Sequence, residues 1–301
     1  MARTEDAGDT WTVTKPNIPA SPLFFCSGKT GWGLSAKGEA NFLAETTDGG
    51  LTWKSLASIP IPASRSVVFG GLAFLDVQNG WAIGSQTEGL SYVVQTRDGG
   101  KTEQVVAELS GRYGVSRAVV VLPEKRIWLL GNESILYSED VGRSWKQQLD
   151  PANLPGHYAS LALEDAWINP DGHGLAVGES GRGVILKTND FGYHWDVAFL
   201  SNSSTGFKSV SFGDSDHGCV VGMSTMLYCT ADGGSTWTSK GTLPGPEDTR
   251  SHEEIIYSKI IFGKGGRRGW VLRALGFLYQ TDDGGATWNK LDLLKDFPDE
   301  R

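Results

Sequence analysis

Charged side chains that interrupt apolar stretches are the first candidates for chemistry in this chain of 301 residues. Arg117, Glu164 and Lys208 stand at equivalent points of a sequence repeat, and Asp165 follows Glu164 directly. A carboxylate beside two cations binds a charged ligand or a polar partner surface, or it forms salt bridges within the protein. The sequence leaves both interpretations open. Under the first interpretation, Arg117, Glu164 and Lys208 are partner-binding candidates that lie near the mouth of a channel at the centre of the fold.

Loop residues extend this candidate surface. The repeat places four of them in connections at the same end of the predicted sheets: Arg65, Arg112, Tyr158 and Arg182. A long connection from Gly241 to Tyr257 adds His252, Glu253 and Glu254, although its Pro- and Gly-rich composition is also that of a solvated loop. We expect this surface to bind an acidic or polar partner. Nothing orders its residues into a nucleophile, a base and an orienting group, so the pattern does not indicate catalysis.

Metal and cofactor chemistry receives no support from the residue pattern. The five histidines are dispersed along the chain, and the three cysteines show no CxxC spacing. The glycine-rich segments lack the strand-to-helix context of a phosphate-binding loop. We therefore expect no metal and no cofactor. Cys219 and Cys229 flank a predicted hairpin, so they form either a cross-strand disulfide or two buried thiols.

The overall composition excludes two function classes. A net charge of −8 and a sequence pI near 5.2 argue against nucleic-acid binding. No apolar run approaches the roughly 18 residues that span a bilayer, so we expect a protein that does not cross the membrane. Residues 1–14 lack the apolar region of a signal peptide. Forty glycines, about twice the average usage, indicate many tight turns.

One eight-residue motif recurs through the chain. Thr46-Thr-Asp-Gly-Gly-Leu-Thr-Trp53 returns almost unchanged at 230–237 and 281–288, with looser copies at 4–11, 96–103, 138–145 and 188–195. The aspartates of the seven copies are Asp6, Asp48, Asp98, Asp140, Asp190, Asp232 and Asp283. Their spacing alternates between 42 and about 50 residues, which is the period of four-stranded propeller blades. The third copy ends in Glu103 instead of Trp, which predicts weaker packing there.

A second motif precedes most copies of the first. It reads Gly31-Trp-Gly-Leu, Gly80-Trp-Ala-Ile-Gly84 and, later, Gly174-Leu-Ala-Val-Gly178 and Gly218-Cys-Val-Val-Gly222. Short apolar runs bounded by glycine are typical of strands buried on both faces. Each repeat therefore predicts four strands, A to D, with the eight-residue motif in the turn between C and D. Ten of the eleven tryptophans fall in these two motifs, and Trp167 is the exception.

The repeats predict one all-β propeller domain over residues 1–301, with six complete four-stranded blades and a partial seventh. The first copy, at 4–11, supplies only a turn and one strand of its blade. Either the chain lacks about 30 N-terminal residues of a seven-bladed protein, or it is a closed six-bladed ring with one extra strand. Aligning the predicted A strands gives the equivalent first residues Ser21, Gly70, Arg117, Glu164, Lys208 and Ser258.

The eight-residue motif resembles the Asp-box (BNR repeat) of sialidases, sortilins, some glycanases and the photosystem II stability/assembly factors. Its combination with the Gly-Trp motif is most similar to the last family, whose members are non-enzymatic thylakoid-lumen propellers with bacterial relatives. Those propellers bind membrane-protein assembly intermediates through an arginine-rich surface, whereas the arginines of this chain are scattered. The resemblance implies a non-catalytic assembly scaffold outside the cytoplasm that binds a protein partner.

The alternative is a carbohydrate-active propeller, either a glycoside hydrolase or a glycan-binding module. A sialidase would need an arginine triad whose first member precedes Ile-Pro. The Ile-Pro pairs at 18–19, 59–60 and 61–62 follow no arginine. The Asp-box carboxylates are also unsuitable, because they lie at the end of each blade opposite the loops that carry propeller sites. The sequence therefore favours a scaffold over an enzyme.

Overall fold

The residues that the computed structural model describes are almost entirely β-strands and turns. They are residues 1–18, 20–37, 40–61, 67–86, 89–109, 115–154, 158, 160–223, 226–241, 243, 257–273, 276–291 and 293. Their strands form six antiparallel sheets of four strands and one sheet of two strands. The fold is therefore an all-β propeller of four-stranded blades, as the repeats predict. The chain divides into two compact units, unit 1 over Met1–Leu149 and unit 2 over Asp150–Arg301.

Unit 1 contains the two-stranded sheet and three blades. Its strands are β1 Ala2–Arg3, β2 Thr12–Val13, β3 Leu23–Phe25, β4 Gly31–Lys37, β5 Ala40–Thr46, β6 Lys54–Ser58, β7 Val67–Phe74, β8 Gly80–Gln86, β9 Ser91–Thr96, β10 Gln104–Leu109, β11 Val115–Leu122, β12 Arg126–Gly131, β13 Ser134–Ser138 and β14 Lys146–Gln147. The pair β1–β2 is an antiparallel hairpin around the first Asp-box. The expectation of a single strand there is wrong, since Ala2 and Arg3 supply a short C strand.

Unit 2 contains the other three blades and begins with a short 3-10 turn at Pro151–Asn153. Its strands are β15 Ala162–Ile168, β16 Gly174–Glu179, β17 Gly183–Thr188, β18 Asp196–Leu200, β19 Phe207–Phe212, β20 Gly218–Gly222, β21 Leu227–Thr230, β22 Thr238–Ser239, β23 Tyr257–Phe262, β24 Gly269–Arg273, β25 Phe277–Thr281 and β26 Asn289–Leu291. In every blade the four strands pair in chain order, A to D. That residues 1–301 form a single domain stays a prediction.

Burial within each blade follows the apolar pattern of its strands. The B strand β20 and the C strand β9 are buried at every residue, whereas the D strands β14 and β22 are exposed. Neighbouring blades pack face to face within each unit. Trp32, for example, joins a cluster with Phe74 of the next blade, and their rings stack with centroids 3.9 Å apart. Burial of such large apolar side chains is the main stabilising contribution to the fold.

The Asp-box is a hydrogen-bonded turn that depends on its own residues. In the second box Thr46 Oγ1 donates to Asp48 Oδ1 at 2.8 Å, and Thr52 Oγ1 donates to Asp48 Oδ2 at 2.5 Å. The indole N–H of Trp53 donates to the Gly50 carbonyl at 3.2 Å. The two Thr52 donors and Thr46 lower the pKa of Asp48 from 3.8 to about 2. The box aspartates are thus structural acceptors, as expected.

Candidate functional site

A β-bulge recurs in the A strands of five blades. In these blades the pairing of the A strand with its B strand skips one residue, or two in β11, and the skipped positions include Gly70, Arg117, Glu164, Lys208 and Ser258. Five of the six residues aligned from the sequence are therefore equivalent in the structure. They are not the first residues of their strands, however. Each lies one to three residues inside, where a bulge releases the side chain from the regular alternation and re-aims it.

Two of the predicted site residues meet in unit 2. Lys208 Nζ donates to Glu164 Oε1 at 2.7 Å, which joins the bulges of β15 and β19 across two blades. The Glu164 side chain is 12% exposed and that of Lys208 is 25% exposed. The pair is therefore partly shielded from water, yet one edge of it faces solvent. Arg117 occupies the equivalent bulge of β11 in unit 1, where it is exposed.

Asp165, the next residue along β15, anchors a second polar network. Its Oδ2 accepts hydrogen bonds from Ser209 Oγ at 2.7 Å, the Val210 N–H at 3.2 Å and Lys259 Nζ at 2.8 Å. The Ser209 hydroxyl in turn accepts from the Ile260 N–H at 3.3 Å. Asp165 and Ser209 are buried, so these bonds connect the A strands of three successive blades in a region of low water access.

The remaining predicted site residues are spread among loops. Arg182 is exposed in the turn between β16 and β17. Because Ala162 pairs with Glu179, this turn lies at the same end of the blade as the start of β15. Tyr158, which precedes β15, is partly buried. Arg65, Arg112 and His252 lie outside the described residues.

Cationic side chains outnumber anionic ones at this end of unit 2 among the residues that the structure describes. The cations are Arg182, Lys208, Lys240, Lys259 and Arg273, and the anions are Asp150, Glu164, Asp165 and Glu179. The sequence presents the arginines as scattered. Strand pairing brings two of them to the same end as three lysines, against the net charge of −8 of the whole chain.

Sequence reasoning missed Asp165, Ser209 and Lys259 as a group. All three directly follow a bulge residue and interrupt apolar A strands, which is the signal that identifies them. Strict alternation would place the consecutive residues Glu164 and Asp165 on opposite faces of β15, whereas with the bulge both contact residues of β19.

Glu103 is a buried titratable group outside this site. Both of its carboxylate oxygens are covered, and within the described residues neither has a hydrogen-bond partner. It stands in the Trp position of the third Asp-box, beside a cavity of about 10 Å³. Desolvation, followed by repulsion from Asp98, raises the pKa of Glu103 from 4.5 to about 8. At this box, where the sequence predicts weaker packing, the Trp position thus holds a carboxyl group that is shielded from water.

Cys219 and Cys229 are joined by a disulfide between the paired strands β20 and β21. This decides between the two alternatives that the sequence leaves open. Among the residues described, no group of three or more His, Cys, Asp or Glu side chains is placed to hold a metal ion. The same residues include no helix that is long and apolar enough to cross a membrane.

Sequence comparison relates part of the chain to photosynthetic assembly factors. Residues 194–301 match a family model described as photosynthesis system II assembly factor YCF48. The photosystem II assembly lipoprotein Ycf48 of Synechococcus sp. (strain CC9902) is 35% identical over 91 residues, which cover 30% of this chain and 25% of that protein. This chain thus spans about a quarter of the length of that relative.

Solved structures extend the likeness over nearly the whole chain. YCF48 bound to D1 peptide matches with a TM-score of 0.67 and 18% identity, covering 95% of this chain and 85% of that one. The GH74 xyloglucanase of Xanthomonas campestris matches with a TM-score of 0.71 and 13% identity, covering 91% and 45%. At such identities both likenesses concern the fold alone. The chain is an Asp-box β-propeller that resembles the photosystem II assembly factors.

Proposed function

We propose that the chain is a non-catalytic assembly scaffold that binds a segment of another protein at the blade end where the A strands begin. The observation that carries the proposal is the bulge that recurs in five A strands. A bulge takes its side chain out of the regular alternation of the strand and re-aims it. In unit 2 these positions display the Glu164–Lys208 pair, at the same blade end as Arg182. In unit 1 the same position displays Arg117.

The charge pattern indicates the partner's chemistry. With five cations against four anions at this end of unit 2, we expect an extended segment that carries acidic and polar groups. The resemblance to photosystem II assembly factors favours a segment of a membrane protein under assembly. The solved relative YCF48 is bound to a D1 peptide, so that peptide is a suitable first probe.

Catalysis is disfavoured by the engagement of the acidic groups. A glycosidase uses one carboxyl group as a proton donor and a second as a nucleophile or base. Here Glu164 accepts from Lys208, and Asp165 accepts from Lys259 and two further donors. We therefore keep the carbohydrate-active propeller only as the alternative, supported by fold likeness to a xyloglucanase.

The compartment and the domain organisation belong to the same proposal. We place the protein outside the cytoplasm, in a periplasmic, secreted or lumenal setting. The Cys219–Cys229 disulfide supports this placement, because structural disulfides persist in oxidising compartments. The lipoprotein named among the relatives agrees with it. We also propose that residues 1–301 act as one propeller domain.

The test is a peptide-binding titration with a charge swap. Labelled D1 peptide and a scrambled peptide of the same composition are titrated with wild type and with the double variant Glu164→Lys/Lys208→Glu. The swap retains an intramolecular ion pair but inverts its polarity. Arg117→Glu tests the bulge of unit 1, and Lys101→Glu, in an exposed Asp-box turn, is the matched control.

We expect wild type and Lys101→Glu to bind the D1 peptide equally, and the charge swap and Arg117→Glu to bind at least tenfold more weakly. Equal binding by all four proteins would place the interface elsewhere. Failure of every protein to bind the D1 peptide or an array of charge-varied peptides would contradict the scaffold. Turnover of xyloglucan that is abolished in Glu164→Gln would support the carbohydrate alternative instead.

A further inference from the structure

The strand-B tryptophan fills a defined slot between a blade and the Asp-box turn of the next blade. Trp32 on β4 shows the complete arrangement in unit 1. Its ring stacks on Phe74, and its N–H donates to the carbonyl of Gly99, the first glycine of the next box, at 3.0 Å. The Trp32 indole therefore makes two contacts in this slot, one stacking and one polar.

In unit 2 the corresponding position of β16 holds Leu175, whose side chain has no N–H donor. The lone tryptophan outside the two motifs compensates in part. Trp167 is the cross-strand partner of Leu175 and stacks on Phe212, the counterpart of Phe74, with centroids 4.6 Å apart. A residue of strand A thus restores the stacking contact. The hydrogen bond to the box turn is not restored.

A cavity of about 190 Å³ lies where the missing indole would reach the box turn. Trp167, Leu175 and Gly233 line it, and Gly233 is the box residue equivalent to Gly99. Cavities of roughly 150 Å³ in protein interiors accept a benzene ring. The space is therefore large enough for a planar aromatic group, and the box carbonyl is the acceptor that such a group meets in unit 1.

The polar part of the lining carries an excess of negative charge. Asp171, Asp216 and Asp232 contribute three carboxylates, whereas Lys187 contributes one ammonium group that donates to Ser235 Oγ at 3.1 Å. His173 also lines the cavity, and its ring lies 3.1 Å from Asp171. Asp171 and Asp216 are exposed, so they stand where the cavity opens to solvent. A cation attached to the aromatic group would meet them there.

We propose that this cavity is a binding site for a small aromatic ammonium compound. The planar ring occupies the slot that a strand-B tryptophan fills elsewhere, a ring N–H donates to the Gly233 carbonyl, and the ammonium group lies beside Asp171 and Asp216. The site is at the Asp-box end of unit 2, away from the A-strand bulges. It does not depend on the proposed scaffold function.

Tryptamine is the probe, because it combines an indole N–H with an ammonium arm, and indole-3-propionate is the control with the opposite charge. Binding is measured by calorimetry and by the shift of the Trp167 indole resonance. Leu175→Trp refills the slot from within and should abolish tryptamine binding. Asp216→Asn should weaken it several-fold, whereas Glu124→Gln, at an exposed turn of unit 1, should not change it.

Two results would overturn the proposal. One is the absence of tryptamine binding to wild type at millimolar concentration. The other is unchanged binding by Leu175→Trp, or by Leu175→Phe if the first variant fails to fold. Equal affinity for indole-3-propionate and tryptamine would overturn the assignment of the ammonium group to Asp171 and Asp216.

Discussion

Neutralising Glu103 should remove a pH-dependent loss of stability. The folded side chain keeps its proton to about pH 8, whereas the unfolded side chain loses it near 4.5. Between those values the folded state binds more protons than the unfolded state. The free energy of unfolding therefore falls as the pH rises through this interval, and it is highest at or below its lower end.

The size of the effect follows from the displacement of the pKa. Each pKa unit corresponds to about 1.4 kcal/mol, so the change from 4.5 to about 8 costs at most about 5 kcal/mol above pH 8 and about 3 kcal/mol at pH 7. Glu103→Gln keeps the shape of the side chain and cannot ionise. We expect it to match wild type near pH 5 and to be more stable by about 3 kcal/mol at pH 7.

Urea unfolding at half-unit steps from pH 5 to pH 8.5 measures this difference directly. The Asp-box carboxylates do not interfere, because the box hydrogen bonds lower the pKa of Asp48 from 3.8 to about 2 and thus move its effect to more acidic solution. Glu124→Gln, at an exposed turn, is the control and should follow wild type. If Glu103→Gln keeps the wild-type slope, the buried carboxyl group is not the source of the pH dependence and the reasoning fails.

Three further substitutions test the fold. Val141 has a left-handed backbone (φ 62°) at a box position where four other boxes carry glycine. Val141→Gly should therefore raise the free energy of unfolding by about 1 kcal/mol in urea titrations. A lower free energy of unfolding in this variant would contradict this account. Replacing Cys219 and Cys229 by serine should lower it by about 3 kcal/mol, since the disulfide closes a loop of 10 residues, and adding reductant to wild type should reproduce the loss. Asp165→Asn should cost about 2 to 3 kcal/mol, because its three donors lose a charged acceptor, while Asp196→Asn at an exposed strand position should be neutral within measurement error.

The blade pattern was predictable because its determinants are local. The Thr46–Asp48, Asp48–Thr52 and Trp53–Gly50 hydrogen bonds connect residues two to four positions apart. A short motif therefore specifies its own turn wherever it occurs. The apolar runs bounded by glycine fix the buried B strands in the same way. The misjudged hairpin of β1 and β2 depends on a C strand of only two residues that carries no apolar pattern.

The candidate site was predictable only in part. Alignment of the repeats identified Arg117, Glu164 and Lys208 as equivalent, and the ion pair of the latter two is present. The alignment did not reveal that these positions are bulges, since a bulge is a property of the pairing between two strands. For the same reason it did not reveal that Glu164 pairs with Lys208 while Asp165 accepts from Ser209 and Lys259.

The seven Asp-box turns, the four-stranded blades and the order of strands follow from the amino-acid sequence, because each depends on contacts among neighbours in the chain. Which distant groups meet depends instead on the packing of the blades. Asp165 and Lys259 are 94 residues apart, and Lys208 and Glu164 are 44 apart. The cavity lined by Trp167, Leu175 and Gly233 likewise brings together residues that are far apart in the sequence. Such outcomes depend on how blades pack, and no local pattern records them.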